Sequence, residues 1–205
     1  ECRGAIAQYD AGTDAYTLYV SSQGSHRQKR TMLELFELGD HQLRVVTPDV
    51  GGGFGPKGTY YPEYANLSVA SRLLGRPVKW IEDRRENLMA CNHSREQVHR
   101  VRAAIDADGR VLGLDDEFFH DQGAYVRTHG TRVAEGTAST LPGPYLIPAF
   151  RAVGHYRLTN KTPAATYRSP GRFESTFVHE RVMDAIAAKL GVDPIEIRRR
   201  NLVPH

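Results

Sequence analysis

The run Val50-Gly51-Gly52-Gly53-Phe54-Gly55-Pro56-Lys57 constrains this chain more than any other stretch. Glycine loses more backbone entropy on folding than any other residue, so placing four of them in five positions is costly. Such a turn is expected where backbone must approach something closely, often a phosphate or another anion. It follows the apolar Leu43, Val45 and Val46 and precedes a helix-like segment that begins near Tyr61. Phe54, large among glycines, predicts a placed side chain rather than a slack linker. The spacing Gly51-x-Gly53-x-Gly55 does not fit the dinucleotide fingerprint GxGxxG, and no βαβ unit with an acidic residue about 20 positions on accompanies it. A GxxxxGK[ST] phosphate loop also fails, because Pro56 precedes Lys57 and Gly58 follows it. Pro56 has no N–H, so any anion must be met by the amides before it. On spacing alone, a tight structural turn and a cofactor or anion site both stay open.

With 205 residues, 40% hydrophobic and 25% charged, the chain has the composition of a soluble globular protein with a real core. No run approaches the roughly 20 apolar residues of a membrane helix, and no charged-then-apolar signal segment opens the chain. The net charge of +3 is mild. The basic run Arg198-Arg199-Arg200 is short, and fits a solvated helix face or a contact to a further segment better than a nucleic-acid site. Cys2 and Cys91 make neither a CxxC nor a disulfide framework, so a reducing cytoplasm is expected. The chain opens at Glu1 without methionine and stops at His205 just after a helix, which leads us to expect a piece of something longer.

Strands are expected at 5–9 and 15–20, split by the turn Asp10-Ala11-Gly12-Thr13. A helix follows, with Ser25 as its cap, Met32, Leu33, Leu35, Phe36 and Leu38 mainly on one side, and Gly39 as its stop. Residues 41–47 then read as a strand. A second helix is predicted from 61 to 74, with Pro62 in its first turn, an apolar stripe of Tyr64, Leu67, Ala70, Leu73 and Leu74, and Gly75 ending it. A short strand at 78–81 precedes a hairpin of 97–105 and 111–119 around Asp106-Ala107-Asp108-Gly109. Residues 122–148 read as a loop long enough to be functional or to wrap a partner, and 150–158 as a strand. Phe173, Phe177, Val178, Val182, Ala185, Ile186 and Leu190 follow a helical period closed by Gly191. Asp193-Pro194-Ile195-Glu196 starts another helix with an N-cap, a proline at N1 and a capping-box glutamate. Hairpins and separated helices together argue an α+β fold.

A second candidate site is Thr166-Tyr167-Arg168-Ser169-Pro170-Gly171-Arg172, which opens onto the long helix. Arginines at a helix start oppose the macrodipole. An anionic ligand or carboxylate partner explains them, and so does a surface salt bridge. The nine histidines form no HxH, HxxxH or HExxH pair, so no protein-ligated metal is expected. Asp115-Asp116-Glu117 alternates faces on a strand and reads as a solvated edge. No Gly-x-Ser-x-Gly elbow or Cys/His arrangement points to nucleophilic catalysis.

Taken in order, Ser22-Gln23-Gly24, 49–57, Leu74-Gly75-Arg76-Pro77-Val78-Lys79-Trp80, 121–125, Leu158-Thr159-Asn160-Lys161, 167–174 and 198–204 resemble the molybdenum-cofactor-binding subunit of the xanthine dehydrogenase and aldehyde oxidase family. The resemblance covers nearly the whole chain and lies in the ordered set rather than in any one motif. It implies molybdopterin, bare or on a dinucleotide, carrying an oxo- and sulfido-type molybdenum that the protein does not ligate. It further implies hydroxylation of an aldehyde, purine or aromatic heterocycle with water-derived oxygen, and electron transfer to partner iron–sulfur clusters and FAD. By position, Gln23 matches the glutamine that hydrogen-bonds an oxygen ligand of molybdenum. Gly52, Gly53, Phe54 and Gly55 match the turn that approaches the cofactor, and Arg168 the active-site arginine that orients substrate or stabilises negative charge.

Three departures narrow this reading. Gly58 stands where purine-oxidising members carry a substrate-binding glutamate, Ser169 where carbon monoxide dehydrogenases carry a copper-binding cysteine, and Pro56 where a glycine is usual. The family's general-base glutamate and much of its cofactor site belong to a C-terminal half not found in this sequence. The expectation is therefore that residues 1–205 are the first molybdopterin-binding domain of a larger subunit, forming one wall of the cavity and inactive alone. The rival readings are a non-catalytic cofactor-binding module and a structural piece of a larger assembly.

Overall fold

The computed structural model describes residues 1–127 and 129–204. Thr128, in the predicted loop, and His205, one of the scattered histidines, lie outside the described residues. The chain divides into two compact units, 1–91 and 92–205, which are described in turn.

In the first unit, strands β1 (Gly4–Asp10) and β2 (Ala15–Val20) form the expected hairpin. Helix α1 (Ser25–Phe36) crosses over to β3 (Leu43–Val46), which therefore lies parallel to β2. Helix α2 (Pro62–Leu74) returns the chain to β4 (Val78–Ile81), antiparallel to β1, and the sheet order is β3-β2-β1-β4. Alternate residues Ala5, Ala7, Tyr16, Leu18 and Val20 face a core shared with Met32, Leu43, Tyr61, Tyr64 and Leu67. Helix α3 (Arg84–Ala90) follows, closed by a capping box between Asp83 and Glu86. Its D-x-x-E signature is present in the sequence, but no apolar period accompanies it.

Several boundaries differ from expectation for local reasons. Ser25 is the first residue of α1 rather than its cap; Gly24 is the cap and offers no side chain. The helix ends earlier than Gly39, at Glu37 in a left-handed conformation (φ 54°), where Leu38 N–H reaches Leu33 O. Residues 40–42 form a one-turn 3-10 segment instead of strand. The stripe on α2 is rotated: Ser68 and Ser71 are buried with Tyr64 and Leu67, whereas Leu73 and Leu74 are exposed. Leu35 is likewise exposed.

In the second unit, β5 (Gln97–Ile105) and β6 (Val111–Gly123) form the predicted hairpin, with Gly109 at φ 81° in its turn. The expected loop at 122–148 contains a helix, α4 (Thr131–Ser139), whose buried Val133, Ala134 and Thr137 give too weak a period to read. It carries the chain to β7 (Ala149–Leu158), parallel to β6, so β6 is the central strand. Asp116 consequently sits fully buried, accepting from or pairing with His99 Nδ1 at 2.7 Å; only its neighbours Asp115 and Glu117 occupy the wetter face. Helices α5 (Arg172–Leu190) and α6 (Pro194–Asn201) complete the unit. Met183, Ile186, Ala187 and Ile197 share a core with Val111 and Tyr145. Phe173 and Phe177 are exposed, and Glu174, Ser175, Val178 and His179 occupy the buried face instead. Asp193 caps α6 as expected, accepting from Ile195 and Glu196 N–H, while the Glu196 carboxylate turns to Arg200 Nε at 3.0 Å. Two residues of the basic run are tied down within the unit: Arg198 pairs with Glu180 and Asp184, and Arg200 with Glu196. The α+β expectation is met, with two mixed sheets and six α-helices among the described residues.

Candidate cofactor and substrate sites

In the first unit the glycine turn leaves β3 and closes against the loop between β2 and α1. Gln23 N–H donates to Lys57 O at 3.1 Å, and Gly55 N–H donates to Gln23 Oε1 at 2.9 Å. Buried Ser22 gives its hydroxyl to Lys57 O at 3.1 Å and receives Gln28 Nε2 at 2.9 Å. The approach requires glycine. A Cβ on Gly53 would lie 2.1 Å from Gln23 Cγ, and one on Gly52 would lie 2.3 Å from the Phe54 ring. Gly52 (φ 111°), Phe54 (φ 53°) and Gly55 (φ 98°) all have left-handed backbone. For Phe54 that conformation is strained, and such outliers cluster at ligand clamps.

Lys57, the residue a phosphate loop would aim at its ligand, is otherwise engaged. It is buried and its ammonium meets Glu1 Oε1 at 2.5 Å, while Gly51 N–H meets the same oxygen at 3.1 Å. The Lys57 hydrogen bond and the Gly51 N–H hold the Glu1 carboxyl below its ordinary value. With Gly51 and Gly55 satisfied, the N–H groups of Gly52, Gly53 and Phe54 have no acceptor among the described residues, and neither has Gln23 Nε2. Four unspent donors on one turn and its neighbouring side chain suit an oxygen-rich group held by hydrogen bonds. Among the described residues there is no cluster of His, Cys, Asp or Glu able to hold a metal ion.

In the second unit Arg168 lies exposed on the loop before α5, and its guanidinium forms no ion pair among the described residues. The loop is fixed by close backbone contact. Gly171 (φ 77°) sits so near α4 that a Cβ would lie 2.4 Å from Gly136 C and from Thr137 N. Ser169 at φ 60° turns the chain, and Phe173 N–H returns to Ser169 O at 3.2 Å. Two residues that the sequence did not single out grip the same loop. Arg95 pairs with buried Glu174 at 3.2 Å and donates to the carbonyls of Tyr167 and Arg168. Their sequence separation of 79 residues left no local signal, although Glu174 on a helix's first turn was visible. Thus Gln23, Gly52, Gly53, Phe54 and Gly55 are gathered in one unit, and Arg168 is presented by the other.

The first unit thus offers a glycine turn with spare amide donors, a feature suited to a cofactor, and the second offers an exposed arginine on a braced loop. The molybdopterin cofactor-binding domain family matches residues 1–202, and the chain belongs to it. It is 42% identical over 204 residues to the 6-hydroxypseudooxynicotine dehydrogenase complex subunit gamma of Paenarthrobacter nicotinovorans, covering 99% of this chain and 25% of that one. It is 40% identical to the nicotine 6-hydroxylase large subunit of the same organism, with coverage of 99% and 25%. Quinoline 2-oxidoreductase from Pseudomonas putida 86 superposes with a TM-score of 0.94 at 36% identity, over 100% of this chain and 26% of that one. The chain thus spans about a quarter of these relatives, which belong to the molybdenum-dependent oxidoreductases. No helix among the described residues is long and apolar enough to cross a membrane.

Proposed function

We propose that residues 1–205 are the first molybdopterin-binding domain of a larger cytoplasmic molybdenum hydroxylase subunit. It forms one wall of the cavity in which an aromatic heterocycle or an aldehyde is hydroxylated with water-derived oxygen. The observation that carries this reading is the set of four unspent donors, Gly52, Gly53 and Phe54 N–H and Gln23 Nε2, on a turn of strained backbone. When bound, the molybdenum cofactor supplies the two-electron acceptor for C–H hydroxylation. The residues of the chain bind and orient. Gln23 is held by Gly55 through its carbonyl, which leaves its Nε2 to donate to an oxygen of the cofactor. Arg168, with no ion pair among the described residues, orients the substrate and stabilises negative charge that develops on it.

Gly58 in place of a glutamate and Ser169 in place of a cysteine turn the reading away from purines and carbon monoxide. The names of the relatives with nicotine and quinoline substrates favour a nitrogen heterocycle over an aldehyde. The C-terminal half of the cavity and partners bearing iron–sulfur clusters and FAD complete the enzyme, and the isolated chain is inactive. The test is expression of the full-length subunit with its partners, followed by assay with quinoline, nicotine and benzaldehyde in H2(18)O with a dye acceptor. Incorporation of 18O into product by molybdenum-loaded enzyme supports the reading. Full molybdenum loading without oxidation of any C–H substrate favours a non-catalytic binding module.

A further inference from the structure

We propose that Arg95 is the positioning residue for Arg168, a role that rests on reading Arg168 as the substrate-facing cation. One nitrogen of Arg95, Nη2, donates to Tyr167 O at 3.2 Å and to Arg168 O. These two carbonyls belong to the peptide planes on either side of the Arg168 Cα. Fixing both planes fixes φ and ψ of Arg168, and with them the direction in which its side chain leaves the backbone. The other nitrogen, Nη1, holds both oxygens of Glu174 at 3.3 and 3.2 Å, and Ser94 Oγ donates to the same carboxylate at 3.2 Å. Glu174 is only 5% exposed, so its charge needs that partner. It also neutralises Arg95, so the second cation beneath the loop does not repel Arg168.

The guanidinium is clamped by rings as well. Its carbon lies 4.3 Å from the Phe173 ring centroid and 5.4 Å from that of Tyr167. Arg95 itself has φ 81°, a left-handed backbone that arginine rarely adopts. A lysine can keep the charge opposite Glu174, but it has no planar fork with which to hold a carboxylate and two carbonyls together.

The experiment uses the full-length holoenzyme, with quinoline and nicotine as probes and a dye acceptor. It compares Arg95→Lys, Arg95→Ala, Arg168→Ala and the double variant Arg95→Lys/Arg168→Ala. Because small misplacement of a catalytic group can cost about 10²-fold, Arg95→Lys is expected to lower kcat/KM by roughly 10–100-fold with molybdenum content and Tm unchanged. On the Arg168→Ala background the same change is expected to cost under about threefold, since a group that acts through Arg168 has nothing left to position. Arg95→Ala serves as the limit in which the clamp is removed altogether. Equal losses in the two backgrounds, or a loss that follows falling molybdenum content, overturn the inference. So does an unimpaired Arg95→Lys enzyme beside an impaired Arg168→Ala enzyme. An unimpaired Arg168→Ala enzyme instead sinks the reading of Arg168 itself, and the inference with it.

Discussion

Gln23 Oε1 accepts the backbone N–H of Gly55 at 2.9 Å, so one end of this amide is committed to the turn and the other is left to donate. The two ends can be separated by mutation. Gln23→Glu keeps an acceptor for Gly55 and removes the donor, whereas Gln23→Ala removes both. Loss of a single exposed hydrogen bond is worth about 0.5–1.5 kcal/mol, so Gln23→Ala should lower Tm slightly and Gln23→Glu less. Both should reduce turnover by about 10²–10³-fold, the scale of one lost transition-state donor. Thermal melts beside steady-state kinetics check this; full activity in Gln23→Glu would remove Nε2 from the mechanism.

The glycines divide by what stands over them. At Gly53 a new Cβ meets Gln23 Cγ, part of a flexible side chain that can swing away. Gly53→Ala is therefore expected to displace Gln23 and lower cofactor occupancy, read as molybdenum content, at a stability cost of at least about 0.5–1.5 kcal/mol for the hydrogen bond to Gly55 it breaks. At Gly171 the Cβ meets the backbone of Gly136 and Thr137, and φ is 77°. Nothing there can yield cheaply, so Gly171→Ala should destabilise the second unit by about 1–3 kcal/mol, the usual cost of overpacking, or more. Chemical denaturation of each variant measures the contrast.

Arg3 and Glu82 tie the first unit together. The carboxylate receives Arg3 N–H and Nε at 3.0 Å and Asn87 Nδ2 at 2.6 Å, and Arg3 lies 3.7 Å from the Tyr61 ring centroid. Both side chains are almost wholly buried. Glu82→Ala would leave the guanidinium only the longer contact to Glu63 at 3.4 Å, so the loss should approach, without exceeding, the roughly 3–5 kcal/mol of removing one partner of a buried pair. Burial alone would raise the Glu82 pKa, but the Arg3 and Asn87 hydrogen bonds outweigh it and hold it below 4.5. The pair's contribution is thus complete above that pH and lost as pH falls through the lower folded value. The gap in urea midpoint between wild type and Glu82→Ala should be widest above pH 4.5 and should narrow as pH falls.

A different acid sensitivity is expected in the second unit. His120 is fully buried; Gln97 Nε2 faces its Nδ1 at 3.2 Å, and its Nε2 has no partner. Burial lowers its pKa from the ordinary 6.5, and burial does the same to His179. Their neutral forms are favoured in the fold, so stability is complete above pH 6.5 and declines as pH falls below it, by up to about 1.4 kcal/mol per pH unit for each proton. His120→Gln should make that decline shallower in Tm measured from pH 7.5 to 5, with His179 accounting for the remainder.

Much of the first candidate site was legible because its cause is local. A glycine-dense turn with one aromatic states its own backbone requirement, and its spacing alone rejects the GxGxxG and GxxxxGK[ST] fingerprints. The hairpins, the Gly75 and Gly191 helix stops and the Asp193 cap are equally local, since each depends on φ or on a side chain within a few residues. Helix faces were less legible. Phe173, Phe177, Leu73 and Leu74 satisfy a helical period yet are exposed, because periodicity marks an apolar stripe but not which side the sheet occupies.

What the sequence determined by itself, then, was the α+β class, the strained cradle at 50–57 and the ordered motifs of a molybdopterin-binding family. Tertiary structure alone decided three things. It placed Gln23 against Gly53 and Gly55, put Asp116 on a central strand rather than an edge, and set Arg95 under Arg168. The physical reason is sequence distance. A turn encodes its own dihedral angles, whereas a hydrogen bond between residues 32 or 73 positions apart exists only once the sheets and helices have fixed the backbone on both sides.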